Sequence, residues 1–344
     1  MFLRNIIAFS YIVLLLSGCT GKKTGPGTAA DNYARKIPEV KNLLIVGVFG
    51  FRAGLYEYNF ENKKVSLFWS KDDESVVDLS YSRNMKKAFV LTAFDYGKTG
   101  ALPFIKNAKI YLFDADSNQM EPIERIGDGV QVFMMWGTDN TFKVIMNSID
   151  LTVATYINQH IQIFNTFGKK LFDEIKTYDI TKEGYPNPSE RATDFTSYDK
   201  NYLLSAVPDS GSKVIYLLNR RTNKKSFILR SNQKLNQALW TANDSLLIFS
   251  TINISPENKT LYERNPETSS LYIYSMKGER ILKSWNGGGL KNFYAVNNSL
   301  VFDDGFADRS SIYFFSFKTF LPYDTLRIKK GCGLRNIPRI PDYK

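Results

Sequence analysis

The chain has 344 residues and a formal net charge of +11, and 43% of its residues are hydrophobic, which is enough for a large core. Its two cysteines and single histidine exclude a disulfide framework and a zinc site built from His and Cys. The 14% aromatic content favours strands, and no convincing amphipathic helix follows the N-terminus. The totals therefore predict a mainly β protein.

The N-terminal segment is typical of a signal peptide. Arg4 supplies the basic start, and residues 6–16 form an apolar run shorter than the roughly 20 residues that a membrane span requires. Leu16-Ser17-Gly18-Cys19 follows and resembles the lipobox of bacterial lipoproteins. That resemblance implies a signal peptide at 1–18, cleavage before Cys19 and several acyl chains on Cys19, which together anchor a protein stably.

Residues 19–40 are rich in Gly, Thr, Ala and Lys and lack apolar periodicity, so we expect a flexible tether before a domain at 41–344. In the lipoprotein sorting pattern, Asp after the acylated cysteine favours the inner membrane. Thr20 therefore implies the bacterial outer membrane, with the periplasmic or cell-surface side left open. The basic balance suits anionic partners such as lipid headgroups or acidic glycans, and export argues against nucleic acid.

One sequence pattern recurs six times along the domain. Each copy has alternating apolar residues, a polar turn and a second apolar run, which is typical of a β-hairpin. The copies begin at Leu55, Ile110, Ile161, Ile215, Leu271 and Ile312, with a spacing of about 40–55 residues. A second pattern, also strand-turn-strand, lies between these copies and begins at Ser75, Gly129, Ala192, Asn236 and Leu290. Four strands per period predict an all-β, six-bladed β-propeller with four-stranded antiparallel blades.

The first blade lacks one strand in the sequence, because only residues 43–49 precede its outer hairpin. We expect residues 334–340 to supply the missing strand, so that the two chain ends pair and close the ring without an open edge. The two prolines of this segment count against a long strand, and a loose tail is the alternative.

The pattern of predicted strands and turns over roughly residues 40–330 resembles that of six-bladed propellers of the TolB-like kind, many of which are bacterial lipoproteins. The resemblance implies the fold and leaves the function open, since one fold hosts many functions.

Motifs for catalysis are sparse. A Ser-His-Asp arrangement would have to use His160, the only histidine, for which a surface or satisfied role is the alternative. Asp303, Asp304 and Asp308 share one short loop that would suit either a cation or an ordinary Asp-Gly turn. The sequence indicates no cofactor and no assigned metal.

Three long connections are predicted at one end of the blades, at residues 94–107, 176–193 and 252–270. Long loops on a rigid scaffold often bind partners. They carry residue types that are enriched at recognition surfaces, namely Tyr96, Phe104, Tyr185, Arg191, Tyr262 and Arg264. Tolerated insertions are the alternative explanation.

The opposite end collects lysine-rich turns, at residues 63–64, 86–87, 169–170 and 220–225. Ordinary solvated turns are one explanation for these charges. The alternative, functional hypothesis is a basic face that lies on an anionic membrane surface.

The leading function is a lipid-anchored binding or scaffold protein that engages a protein partner or a glycan through the long loops. One alternative is a carbohydrate-active hydrolase or lyase with carboxylates, tyrosines and arginines near the propeller axis. Another is an accessory lipoprotein of an outer-membrane assembly or uptake complex.

Overall fold

The computed structural model describes residues 37–49, 52–99, 102–137, 140–149, 153, 155–183, 186, 195–197, 199–241, 245–253, 268–287, 292–304, 310–328 and 330–334. Within these ranges the chain forms 24 strands and one short helix, Ile180–Glu183 (α1). The described chain is therefore almost entirely β, as its composition predicts.

The strands form six separate sheets, most of them four-stranded, with antiparallel pairing between neighbouring strands. Sheet 1 contains Asn42–Phe49 (β1), Arg52–Asn59 (β2), Val65–Trp69 (β3) and Lys330–Gly333 (β24), in the order β24-β1-β2-β3. Sheet 2 contains Ser75–Tyr81 (β4), Lys87–Ala93 (β5), Asp95–Thr99 (β6), Leu102–Asp114 (β7) and Gln119–Gly129 (β8). Sheet 3 contains Gln131–Trp136 (β9), Phe142–Ile149 (β10), Tyr156–Phe164 (β11) and Lys170–Asp179 (β12).

Sheet 4 contains Tyr202–Asp209 (β13), Ser212–Asn219 (β14) and Lys224–Ser231 (β15), with an isolated bridge from Thr196 to Leu203 at its first edge. Sheet 5 contains Lys234–Trp240 (β16), Leu246–Asn253 (β17), Thr268–Ser275 (β18) and Arg280–Asn286 (β19). Sheet 6 contains Phe293–Val296 (β20), Ser299–Asp303 (β21), Ser310–Ser316 (β22) and Pro322–Ile328 (β23). Each of the six predicted outer hairpins is present as an antiparallel pair.

Burial falls from one side of each sheet to the other. Strands β5, β17 and β21 are buried on both faces over most of their length. The outermost strands β3, β12 and β19 are largely exposed. Consecutive buried side chains on one strand require a neighbour on each face, so the sheets pack face to face.

Shared apolar clusters show which sheets pack together. One cluster joins sheets 1, 2 and 6 through Leu44, Tyr81 and Tyr294, and another joins sheets 2 and 3 through Phe89 and Phe142. The rings of Phe89 and Phe142 stack with centroids 3.8 Å apart. Two further clusters join sheet 4 to sheet 5 and sheet 5 to sheet 6. Within the described ranges, no core cluster links sheet 3 to sheet 4.

The strand that pairs with β1 comes from the C-terminal part of the chain, but it lies earlier than predicted. Strand β24 pairs antiparallel with β1 through Val46 and Gly333 and through Val48 and Lys330. The sequence predicts this strand at residues 334–340, of which only Leu334 lies in the described chain. Because residues 330–333 carry two glycines and a lysine, they lack the apolar alternation on which the prediction relied.

The last residues of the predicted tether are held by a turn of sheet 6. Asn297 and Asn298 both have positive φ, as a two-residue hairpin turn of the primed type requires. The Asn297 amide accepts a hydrogen bond from the Val40 N–H and donates one to the Val40 carbonyl, both at 2.8 Å. Residues 37–40 are thus bonded to the sheets by backbone groups and one side chain.

Two predicted loops contain regular structure. Strand β6 pairs antiparallel with residues 102–106, the first part of β7, in place of the loop expected at 94–107. The segment 176–193 begins with the end of β12 and continues into α1.

Candidate functional site

In sheets 2 to 6, the first strand begins and the second strand ends at the same end of the sheet. We call this end of each sheet the loop end. The three connections that the sequence analysis singled out all leave the strands at this end. In four sheets, a polar side chain at the start of the first strand bonds to one near the end of the second. We call these groups the polar layer.

In sheet 3 the layer is a ladder of three amides. Gln131, Asn147 and Gln159 occupy directly paired positions of β9, β10 and β11, and each is at most 2% exposed. Asn147 Nδ2 donates to Gln131 Oε1 at 3.1 Å and to the Pro186 carbonyl at 2.8 Å. Gln159 Nε2 donates to Asn147 Oδ1 at 3.1 Å. Buried amides are tolerated here because they satisfy one another.

In sheet 2 the layer is charged and centres on Glu74. Its Oε1 accepts hydrogen bonds from Lys109 Nζ at 2.5 Å and Lys71 Nζ at 3.3 Å. Its Oε2 accepts from the hydroxyls of Tyr111 at 2.8 Å and Thr92 at 2.9 Å. Burial opposes ionisation of this carboxyl, but the four donors outweigh burial and lower the pKa of Glu74 to about 2.

Sheet 5 repeats the arrangement with neutral groups. The Thr251 hydroxyl near the end of β17 donates to the Gln233 side chain, which precedes β16. Beside them, Asn236 Nδ2 donates to Ser250 Oγ at 3.2 Å. Thr251 and Ser250 are fully buried. The layer in this sheet therefore holds the start of the first strand against the second.

Sheet 6 places a carboxyl at the same level. Asp303 is fully buried, and its Oδ1 accepts a hydrogen bond from the Asn292 N–H at 3.0 Å. Its Oδ2 accepts from the Leu334 N–H at 2.9 Å and from Asn292 Nδ2 at 3.2 Å. Desolvation by burial outweighs these bonds and raises the pKa of Asp303 to about 7. Asp303 thus joins sheet 6 to the residue that follows β24.

Two of the three aspartates in the acidic loop accept hydrogen bonds from backbone N–H groups. Asp303 is bonded as above, and Asp304 Oδ1 accepts from the Ser311 N–H at 3.0 Å. Asp308 lies outside the described residues. Among the residues that the structure describes, no three His, Cys, Asp or Glu side chains form a group that could hold a metal ion.

The predicted recognition residues are only partly described. Tyr96 and Phe104 lie on the hairpin of β6 and β7 at adjacent register positions, so they point to opposite faces. Tyr96 packs against the core between sheets 2 and 3, and Phe104 has Lys106 Nζ 5.5 Å from its ring centroid. Phe94, just before the hairpin, is 61% exposed and was not anticipated. The remaining candidates lie outside the described residues: Cys19, Tyr185, Arg191, Tyr262 and Arg264.

His160 belongs to an ion network between two sheets. Its Nε2 lies 2.5 Å from Asp173 Oδ1, and Lys170 Nζ lies 2.6 Å from Asp173 Oδ2. Lys170 also reaches Glu124 of sheet 2 at 3.4 Å. Hydrogen bonds from Lys170 and His160 lower the pKa of Asp173 to about 2. His160 on β11 is thus paired with Asp173 on the neighbouring strand β12.

The lysine-rich turns are partly neutralised. Lys86 pairs with Asp116 at 2.9 Å, and Lys87 pairs with Asp114 at 2.5 Å. Each pair lies at the end of sheet 2 opposite the loop end. Three lysines of the predicted basic face, counting Lys170, therefore have acidic partners.

The polar layer as a set is not predicted from the sequence, and Asp303 is its one member among the candidate residues. Its members Glu74, Gln131, Asn147, Asn292 and Asp303 each interrupt or border an apolar run at a strand end. That interruption was the available signal, because a polar residue at the end of a buried strand needs a partner. Separately, no helix within the described ranges combines the length and the apolar character that crossing a membrane requires.

Comparison with known proteins gives weak structural similarities. No protein-family model and no curated protein matches the sequence. The nidogen/laminin complex is similar with a TM-score of 0.42 at 11% identity, over 83% of this chain and 92% of the other. The periplasmic gluconolactonase of Pseudomonas aeruginosa gives 0.42 at 10% identity, over 85% and 97%. TolB from Acinetobacter baumannii gives 0.34 at 15% identity, over 72% of this chain and 54% of that one. These values assign the chain to none of those families.

Proposed function

We propose that the six sheets are the blades of a six-bladed β-propeller and that β24 completes the first blade, which ties the two chain ends together. Contacts between first strands support this. Gln237 Nε2 in β16 donates to the Phe293 carbonyl in β20 at 3.4 Å, and Trp136 Nε1 in β9 donates to the Ser80 carbonyl in β4 at 2.9 Å. Tyr294 in β20 donates to the carbonyl of Leu334, which follows β24, and Tyr81 in β4 accepts from the Leu44 N–H of β1, the strand that pairs with β24.

The proposal includes a lipid anchor at Cys19 in the bacterial outer membrane, supported by Leu16-Ser17-Gly18-Cys19 and Thr20. Replacing Cys19 by serine removes the sulfur that receives the diacylglycerol. The Cys19→Ser variant should therefore leave the outer-membrane fraction, and retention there at the wild-type level contradicts the anchor.

The function that these features support best is binding, with the loop end of the propeller as the surface for a protein partner or a glycan. The polar layer is the observation that carries this proposal. Four sheets bring buried or half-buried, mutually bonded polar groups to the same end, where the hairpin of β6 and β7 also lies. Binding sites are commonly formed by loops that a rigid scaffold positions, together with a small number of polar groups.

The test is capture of the intact lipoprotein from detergent-solubilised native membranes, with mass spectrometry of what accompanies it. A hairpin variant replaces residues 98–103 by Asn-Gly, because Gly97 and Phe104 are paired and a two-residue turn can join them. The matched control is Lys86→Gln at the opposite end of the same sheet.

A partner that the wild type and the control recover, but the hairpin variant loses, supports binding at the loop end. A partner that all three proteins recover equally moves the binding surface elsewhere. Recovery of no macromolecule by any of them contradicts the scaffold function and leaves a small soluble ligand.

A further inference from the structure

The Glu74 cluster carries more positive charge than the buried carboxylate needs. One carboxylate faces two ammonium groups, those of Lys71 and Lys109. The Glu74 side chain is 3% exposed, and its two oxygens already accept four hydrogen bonds. Since a carboxylate offers about four lone-pair positions, Glu74 is saturated. Lys71, Lys109 and Glu74 together carry a net charge of +1, and the exposed side chains of Asp72 and Asp73 lie between Lys71 and Glu74 in the chain.

Several ammonium hydrogens of the two lysines remain available. Lys71 donates to Glu74 and to the Tyr111 hydroxyl at 3.1 Å, and Lys109 donates to Glu74. An ammonium group has three donors, so one on Lys71 and two on Lys109 have no protein acceptor among the described residues. Their side chains are 43% and 29% exposed, which gives a ligand access to both.

Two aromatic rings border the Lys71 ammonium group. Lys71 Nζ lies 5.6 Å from the Trp69 ring centroid and 5.3 Å from that of Tyr111. The two rings are 5.8 Å apart and tilted. Trp69 is half-buried at the end of β3, so part of its surface is open to a ligand beside the lysines. An apolar wall next to convergent donors is typical of a pocket for a ring-shaped polar molecule.

We propose that Lys71 and Lys109 bind the carboxylate of an acidic sugar, with Trp69 packing against the sugar ring. This inference rests on the proposed binding function and names its ligand class. The remaining ammonium hydrogens of the two lysines suit the two oxygens of one carboxylate, because each lysine can donate one charge-assisted hydrogen bond to it. The ring-borne carboxylate of a hexuronate brings its anion and its apolar face to the site together, which a flexible acidic side chain does not.

The experiment is calorimetric titration of the full-length protein in a neutral detergent with a tetramer of galacturonic acid. Its methyl ester is the matched ligand, since it has the same rings without the charge, and hexaglutamate represents an acidic peptide. The Lys71→Gln variant keeps Glu74 neutralised by Lys109. The Lys86→Gln variant is the protein control, because Lys86 is also an ion-paired lysine of sheet 2, with 41% exposure.

We expect the acid to bind the wild type and Lys86→Gln equally, and Lys71→Gln about tenfold or more weakly, as loss of a charge-assisted bond implies. The methyl ester should also bind at least tenfold more weakly, and salt should weaken the binding of the acid. Equal affinity of wild type and Lys71→Gln overturns the site. Binding of hexaglutamate without the sugar overturns the ligand class.

Absence of binding by all three ligands also overturns the inference. The proposed function is judged separately, because a partner lost from the hairpin variant in the capture experiment would stand without any sugar binding. A sugar bound at the predicted site without a captured partner would support the inference and identify the chain as a glycan-binding protein.

Discussion

Tyr81 and Tyr294 meet edge to face with ring centroids 5.5 Å apart, and their hydroxyls complete the hydrogen bonding around a short strand. Tyr81 Oη accepts the Leu44 N–H at 2.8 Å, and Tyr294 donates to the Leu334 carbonyl at 3.1 Å. Leu44 lies beyond the end of the pairing between β1 and β24. Side chains from sheets 2 and 6 thus provide hydrogen-bond partners for backbone groups that a longer β24 would have paired.

Removing the Tyr81 hydroxyl should therefore destabilise the protein. The Tyr81→Phe variant leaves the buried Leu44 N–H without an acceptor, at a cost of about 1–3 kcal/mol. Urea unfolding measures the change in the free energy of unfolding. The control is Tyr323→Phe, since Tyr323 is 43% exposed, and its effect should stay within about 0.5 kcal/mol. Equal stability of the two variants would contradict the role assigned to Tyr81.

The contact between Asn297 and residues 37–40 can be separated from the turn itself. The Asn297→Gly variant keeps a residue that accepts positive φ but loses the two bonds to Val40. We expect a loss of about 1–2 kcal/mol in unfolding free energy. Asn298→Gly in the same turn is the control, with a smaller expected effect. Faster hydrogen exchange at Val40 in Asn297→Gly alone would identify the lost bonds directly.

Deletion of residues 330–344 should remove β24 and expose the edge of β1, so that the protein unfolds or aggregates. Deletion of residues 335–344 keeps β24 and Leu334 with all the contacts described above. Thermal melting of the two truncated proteins is the measurement, and the longer deletion should melt at the lower temperature. Wild-type melting of the longer deletion would show that β24 is dispensable.

Asp303 should make stability depend on pH in a defined window. Its pKa is raised from 3.8 to about 7 on folding, so its stabilising contribution is complete below about pH 4 and is lost as pH rises to about 7. The loss is on the order of 4 kcal/mol. Asp303→Asn cannot ionise, and its unfolding free energy should not show this decline. The difference between wild type and variant across pH 4–7 is the quantity to measure, and a constant difference contradicts the assignment.

Glu74 should act in the opposite direction and at lower pH. Its pKa is lowered from 4.5 to about 2, so its contribution is present above pH 4.5 and is lost as pH falls to about 2. This contribution is on the order of 3 kcal/mol. In Glu74→Gln the acid-induced loss over that window should shrink, and unfolding free energies measured from pH 2 to 5 test it. An unchanged acid profile would show that the two lysines do not hold the carboxylate charged.

The hairpins were predictable because their signal is local. Alternation with period two is visible in residues 271–274 and again around Ile312, and both segments are strands. Residues 94–107 are expected as a long connection, and the pairing of β6 with β7 is not predictable from propensity because the segment holds two glycines and one proline, which strands disfavour. The polar layer was not predicted because the partners in sheets 2, 3 and 5 lie 12 or more residues apart in the chain, well beyond the local alternation that marks a hairpin.

The sequence by itself determined that the chain is mostly β and contains six hairpins, since strand propensity and side-chain alternation depend on neighbouring residues. Only the tertiary structure decided which segment pairs with β1, because Val46 and Gly333 are far apart in the chain and residues 330–333 have no strand signal of their own. The tertiary structure also decided the ionisation of Asp303 and Glu74. Both are carboxyls at the same level of their sheets, yet burial raises the pKa of one while two lysines lower that of the other.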